Sequence, residues 1–261
     1  MQDWSQFLIA VVLVLIRLSG LMVFAPIFSS NAIPTQVKIG FVMAMTMLLA
    51  PIAATQTAHV TLGLASLSGE LGVGFIFGFS LSLLTEMVTF AGQMLGFQMS
   101  FSLVNVLDPN SPVETPVLSQ LLSLLTFLIL FSMGLDRTML AAIMRSFVAV
   151  PVGQAFVTGH TSIVLLGMAG GVFLAAIQLA APVLAATLMV DLTVSLVGRL
   201  SPQLPVLFVG LPVKTLVGYA VLIGSLGIWP RYIEARFNGL LNPAMQMVLA
   251  AGQHPSATQM Q

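Results

Sequence analysis

Polar positions along this chain come in short clusters, and the apolar runs between them predict the elements. Residues 5–28 form the first run, long enough to cross a hydrocarbon core that needs about 20 helical residues, with Trp4 placed as an interfacial anchor and Arg17 near the middle. Pro26 and Pro34 bracket a turn, APIFSSNAIP, and Lys38 opens a shorter run, 39–53, expected to stop near Pro51 and to lie partly within protein. A polar loop at 55–61 leads to a long tract, 62–107, whose only charges are Glu70 and Glu86. Residues 117–135 are predicted as the cleanest span, closed by Gly134, Asp136 and Arg137 as a solvated helix end. Residues 163–190 carry Pro182 as a kink; Asp191, Ser195 and Arg199 follow at steps of four, on one helical face. The last span is predicted at 215–229, with Arg231 and Arg236 as a cytoplasmic flank.

This pattern predicts an all-α polytopic membrane protein of about six or seven apolar helices, several broken by proline or glycine. Residues 1–251 are expected to form a single integral membrane domain, and 252–261 a polar, disordered tail.

Composition supports the same class. With 58% hydrophobic and 6% charged residues, the 261-residue chain has too few polar side chains to cover a water-soluble globule. Eight basic and eight acidic residues balance, without a basic run, so no nucleic-acid partner is implied. The absence of cysteine excludes disulfides and thiol nucleophiles. His59, His160 and His254 fall in separate loops without ligand spacing, so neither a metal site nor a cofactor is expected. The first run lacks the positive flank of a cleaved signal peptide and is read as retained.

The stretch most suggestive of function runs from Gly92 to Pro116, GQMLGFQMSFSLVNVLDPNSPVETP. Pro109, Pro112 and Pro116 each remove a backbone N–H and bias the preceding residue away from the helix, so a loop carrying Asp108 and Glu114 must interrupt the apolar tract here. Asp108 can close an Asx-type turn or contact a partner. Upstream, Glu86, Thr89, Gln93, Gly96 and Ser100 are spaced three, four, three, four, which draws a polar stripe along one helical face. Lipid satisfies none of these groups. The stripe is therefore either packed within its own subunit or turned to another subunit or a water-filled conduit.

Arg17, Glu86 and Asp191 lie at membrane depth, where a charge costs roughly 2.5–3.5 kcal/mol on insertion scales. Arg17 is expected to face protein interior or a partner, or to snorkel towards a headgroup. Asp191 and Arg199 stand two turns apart, so each needs a partner elsewhere. These charges outnumber the partners visible in the sequence, which favours a subunit stable only in a hetero-oligomer. Gly74–Gly78, Gly92–Gly96 and Gly167–Gly171 form GxxxG pairs that admit close helix contacts. Pro202, Gln203, Pro205, Pro212 and Lys214 crowd into SPQLPVLFVGLPVK, predicted as a shaped, non-helical connection.

The chain resembles the FliR family of flagellar biosynthesis proteins, whose close relatives serve the injectisome export apparatus. The matching residues are Arg17 with the API…AIP turn (25–34), AGQMLGFQMSFSLVNVLDP (91–109), PVL (116–118), VPVG (150–153) and SPQLPVLFVGLPVK (201–214), in order over nearly the whole chain. The resemblance implies a core subunit of the type III export gate in the bacterial inner membrane and flagellar basal body. Its partners would be FliP and FliQ, with FlhB and FlhA nearby, and its cargo unfolded flagellar proteins. It also implies helices that do not simply cross the bilayer one after another. A gate must shut to ions when idle, and apolar side chains achieve that by dewetting. Leu103, Val104, Asn105 and Val106 are expected to form that plug, with Met94 and Met99 adaptable to passing cargo.

The injectisome counterpart remains an alternative. A secondary transporter would also set charges at membrane depth, but no convincing internal repeat is visible. An enzyme is not expected: neither GxSxG nor HExxH occurs.

Overall fold

The computed structural model describes residues 2–25, 34–55, 62–99, 117–156, 159–201, 203 and 206–252. Among them are eight helices: α1 Gln2–Phe24, α2 Thr35–Thr55, α3 Leu64–Gln98, α4 Val117–Ser132, α5 Leu135–Ala149, α6 Gly159–Leu200, α7 Val206–Ser225 and α8 Trp229–Ala251. No strand occurs among the described residues. An apolar solvent offers a backbone no hydrogen-bond partner, so helices that satisfy themselves are the solution open to such a sequence. Four helices, α1, α2, α3 and α6, are long and apolar enough to cross a membrane, and the broken pairs α4/α5 and α7/α8 raise the count to as many as six.

Several predicted boundaries move for that same reason. The run 39–53 extends to 21 residues, with Pro51 inside α2. The predicted connection at 201–214 is helical from Val206, so Pro212 and Lys214 lie inside α7. A helical proline costs about 3 kcal/mol, less than exposing several unpaired amides to an apolar medium. Pro182 likewise sits within a continuous 42-residue α6, which therefore carries Asp191, Ser195 and Arg199 as well. At about 1.5 Å per residue α3 and α6 reach roughly 50 and 60 Å, far beyond a hydrocarbon core of about 30 Å.

The predicted span 117–135 ends early. Gly134 adopts φ 68°, a left-handed conformation, and α5 starts at once with Asp136 in its first turn, where a carboxylate suits the helix dipole. Residues 230–251, read only as a flank, form most of α8. The buried set Ile233, Phe237, Leu241, Ala244, Met247, Val248 and Ala251 repeats every three or four positions, an amphipathic stripe. Pro230 falls in the first turn, where its missing N–H is harmless.

The described residues group into two compact units. The first takes those within 1–84, 134–169 and 236–261, the second those within 85–133 and 170–235. In the first unit α1 presents Ala10, Leu13, Val14, Leu18 and Leu21, all buried, as one helical face. The α3 glycines allow the helices to touch: a Cβ on Gly74 would collide with the carbonyl oxygen of Arg17, and one on Gly78 would sit 2.6 Å from that of Leu21. Phe24 and Phe75 close the contact edge to face at 4.9 Å. In the second unit α4 buries Leu118, Leu122, Thr126 and Leu130 at steps of four. Gly92 of α3 lies against Ser119, whose Cα would be 2.6 Å from a Cβ there. Gly167 and Gly171, the third predicted pair, meet nothing within 4 Å.

Candidate functional site

Most hydroxyls on these helices are satisfied by the turn above them. Thr46 donates to Val42, Thr126 to Leu122 and Thr187 to Val183, which leaves the apolar helices few polar obligations. The polar groups that look elsewhere are therefore the informative ones.

In the first unit Arg17 of α1 is 2% exposed and Glu70 of α3 is fully buried. Arg17 Nε donates to Glu70 Oε2 at 2.5 Å and Nη2 to Oε1 at 3.1 Å, a fork-to-fork pair. Both ends are tied further. Nη2 also donates to the Val150 carbonyl at 3.0 Å, and the Gly153 amide donates to Glu70 Oε1 at 2.7 Å. Gly153 reaches that position through φ 84°, which favours glycine. The Arg17 guanidinium carbon lies 4.4 Å from the centroid of the Phe147 ring, a cation–π contact at the end of α5. The VPVG turn thus closes on an ion pair between α1 and α3. Arg17 faces protein interior, and its partner belongs to this chain. Sequence reasoning noted Glu70 as a charge but did not join it to Arg17. The available signal was a lone cation in the first apolar run, 5–28, and two acids, Glu70 and Glu86, in the long tract 62–107.

In the second unit Asp191 of α6 also finds its partners in the chain, contrary to the expectation that these charges outnumber them. Lys214 Nζ donates to Asp191 Oδ2 at 2.7 Å and Gln98 Nε2 to the same oxygen at 3.2 Å. The lysine side chain is 14% exposed and the aspartate 43%, so this pair is more open than the first. Lys214 can pair because α7 is helical there and turns it towards α6. Nearby, the Thr215 hydroxyl donates to the Met99 carbonyl at 3.2 Å. Met99, expected as an adaptable side chain facing cargo, is instead 1% exposed, its Cε and Cγ each 3.0 Å from where a Gly218 Cβ would stand. The missing side chain of Gly218 makes the socket. Met94 is half-buried. Arg199 is exposed in the last turn of α6, where a cation suits the helix dipole, and it makes no hydrogen bond or ion pair among the described residues.

The predicted polar stripe on α3 divides. Its Thr89 edge packs inside the unit: the Thr89 and Ser123 hydroxyls lie 3.5 Å apart, Ser119 Oγ donates to the Thr89 carbonyl at 3.2 Å, and Gly96 is buried. Glu86 and Gln93 are exposed, and neither bonds to any described residue. Phe97, one turn on, is 75% exposed.

Ser100, Leu103, Val104, Asn105, Val106, Asp108, Pro109 and Glu114 lie outside the described residues, as do Pro202 and Pro205. Gln203 is exposed. Among the described residues no three His, Cys, Asp or Glu side chains gather into a metal-binding group.

Residues 8–240 match the model of the bacterial export proteins, family 1. Three curated relatives carry the name "Flagellar biosynthetic protein FliR". That of Bacillus subtilis (strain 168) is 31% identical over 227 residues, covering 84% of this chain and 86% of the relative. That of Escherichia coli (strain K12) is 25% identical over 245 residues, covering 92% and 93%. That of Pectobacterium carotovorum is 27% identical over 225 residues, covering 85% and 86%.

Proposed function

Since this chain belongs, with the FliR proteins, to the bacterial export proteins, family 1, we propose that it is a core subunit of the flagellar type III protein export gate. In this reading it sits in the bacterial inner membrane at the flagellar basal body and helps to form the conduit that passes unfolded flagellar proteins outward. It assembles there with FliP and FliQ, beside FlhB and FlhA, and performs no catalytic step of its own.

The observation that carries this reading is the extent of the match. It runs from α1 to the middle of α8, a range that takes in Arg17, Glu70, the α3 stripe, Asp191 and Lys214, so the likeness extends over most of the chain. The arrangement also suits a gate subunit. The buried Arg17–Glu70 pair and the more open Asp191–Lys214 pair each neutralise within their own unit, while Glu86 and Gln93 are left for a neighbour or a conduit. The plug is assigned to Leu103, Val104, Asn105 and Val106, just before the loop of Asp108, Pro109 and Glu114. Deleting the gene is expected to abolish secretion of hook and filament proteins and swimming, and the gene supplied in trans restores both. A deletion strain that secretes and swims normally contradicts the proposal.

A further inference from the structure

Glu86 is the one ionisable group between Glu70 and Asp108. Of the three acids on α3 and α6, Glu70 and Asp191 each have a cation from this chain, and Glu86 has none among the described residues. Gln93 stands two turns further along the same face, about 10 Å away, and Phe97 one turn beyond it. All three are exposed, whereas Met87, Val88, Ala91 and Leu95 turn into the unit. A lone carboxylate and a lone amide on an apolar helix are poorly served by lipid, and the charge left unanswered is negative.

We propose that the Glu86–Gln93–Phe97 face of α3 docks a helix of a neighbouring gate subunit that brings a lysine or arginine against Glu86. The inference rests on the export-gate reading and adds the chemistry of the partner. A cation there completes the third ion pair, Gln93 supplies a hydrogen bond two turns away, and the Phe97 ring offers an apolar or cation–π contact.

The test uses the full complex purified from cells. The chain has no cysteine, so Gln93→Cys and Phe97→Cys each give a single attachment point for a photoactivated cross-linker. Both are expected to yield a product with another export subunit, its cross-linked peptide containing a lysine or arginine. Glu86→Gln should lower the fraction of chain in complex about tenfold or more, Glu86→Asp should retain most of it, and a Glu86→Lys chain should recover when that partner cation is made acidic. Chain levels measured in parallel separate lost assembly from lost folding. Cross-linking only to lipid, with Glu86→Gln assembling like wild type, overturns the proposal. So does normal assembly with altered ion leak, which makes the face part of a water-filled conduit. Failure of the wild-type chain to co-purify with any export subunit overturns the export-gate reading itself.

Discussion

Arg17 and Glu70, 53 positions apart, face each other as a buried, two-bonded ion pair that is tied further by the Val150 carbonyl, which accepts from Arg17 Nη2, and by the Gly153 amide, which donates to Glu70 Oε1. The pair joins α1, α3 and the turn after α5. Removing one partner leaves an uncompensated buried charge, which typically costs about 3–5 kcal/mol, whereas removing both can be nearly neutral. Glu70→Gln and Arg17→Leu are therefore each expected to cut the level of folded chain severely, and Arg17→Leu with Glu70→Leu to recover much of it. Arg17→Lys loses the fork and should resemble the single losses more than wild type. Protease resistance of detergent-solubilised chain reports all four; equal losses in the double and single variants would count against the pair.

The Asp191–Lys214 pair should behave differently. Its aspartate is 43% exposed, so screening and side-chain mobility reduce its worth to about 0–1 kcal/mol. Asp191→Asn, which still accepts from Lys214 and Gln98, is expected to leave chain stability almost unchanged in the same assay. A loss as large as that of Glu70→Gln would show the pair to be more enclosed than this geometry gives.

Close packing of α1 on α3 supplies a third prediction. A methyl on Gly74 meets the backbone of α1, which cannot yield as a side chain can, so Gly74→Ala is expected to destabilise by about 1–3 kcal/mol. Gly167→Ala enters open space and should be silent. Thermal melting in mild detergent separates the two, and equal midpoints would contradict the contact.

How much of this was legible in the sequence depends on which side chains carried the signal. Apolar run length was enough to predict an all-α membrane fold, and the Gly74–Gly78 spacing pointed to a real helix contact. Proline misled at two places: Pro51 and Pro212, read as a helix end and as part of a non-helical connection, lie inside helices because an apolar medium penalises open backbone more than one missing bond. The α8 stripe was readable from Ile233 to Ala251 but is interrupted by Asn238, Gly239 and Asn242, which made the segment look like a flank. The partners of Arg17 and Asp191 lie 53 and 23 positions away, a separation that helical periodicity does not report. Met99 could not be placed either, since its socket is made by the side chain that Gly218 lacks.

The stretch from Asp108 to Glu114, expected from its prolines to be a loop, yields a prediction of its own. Asp108→Asn keeps the turn-forming chemistry and removes the charge, while Asp108→Ala removes both. If the loop works as a turn, the asparagine variant secretes normally and the alanine variant does not; if its charge contacts a partner, both fail. Normal secretion by both variants removes Asp108 from the site.

The conduit claim meets its most direct test in ion leak. Leu103→Gly combined with Val106→Ser takes apolar bulk out of the segment proposed to hold the gate dry and leaves Arg17, Glu70, Asp191 and Lys214 unaltered. Cells carrying the fully assembled double-variant complex are expected to leak ions and small dyes across the inner membrane well above cells with the wild-type complex. Wild-type leak from a double-variant complex of normal subunit content would contradict the account and return the stretch to ordinary packing.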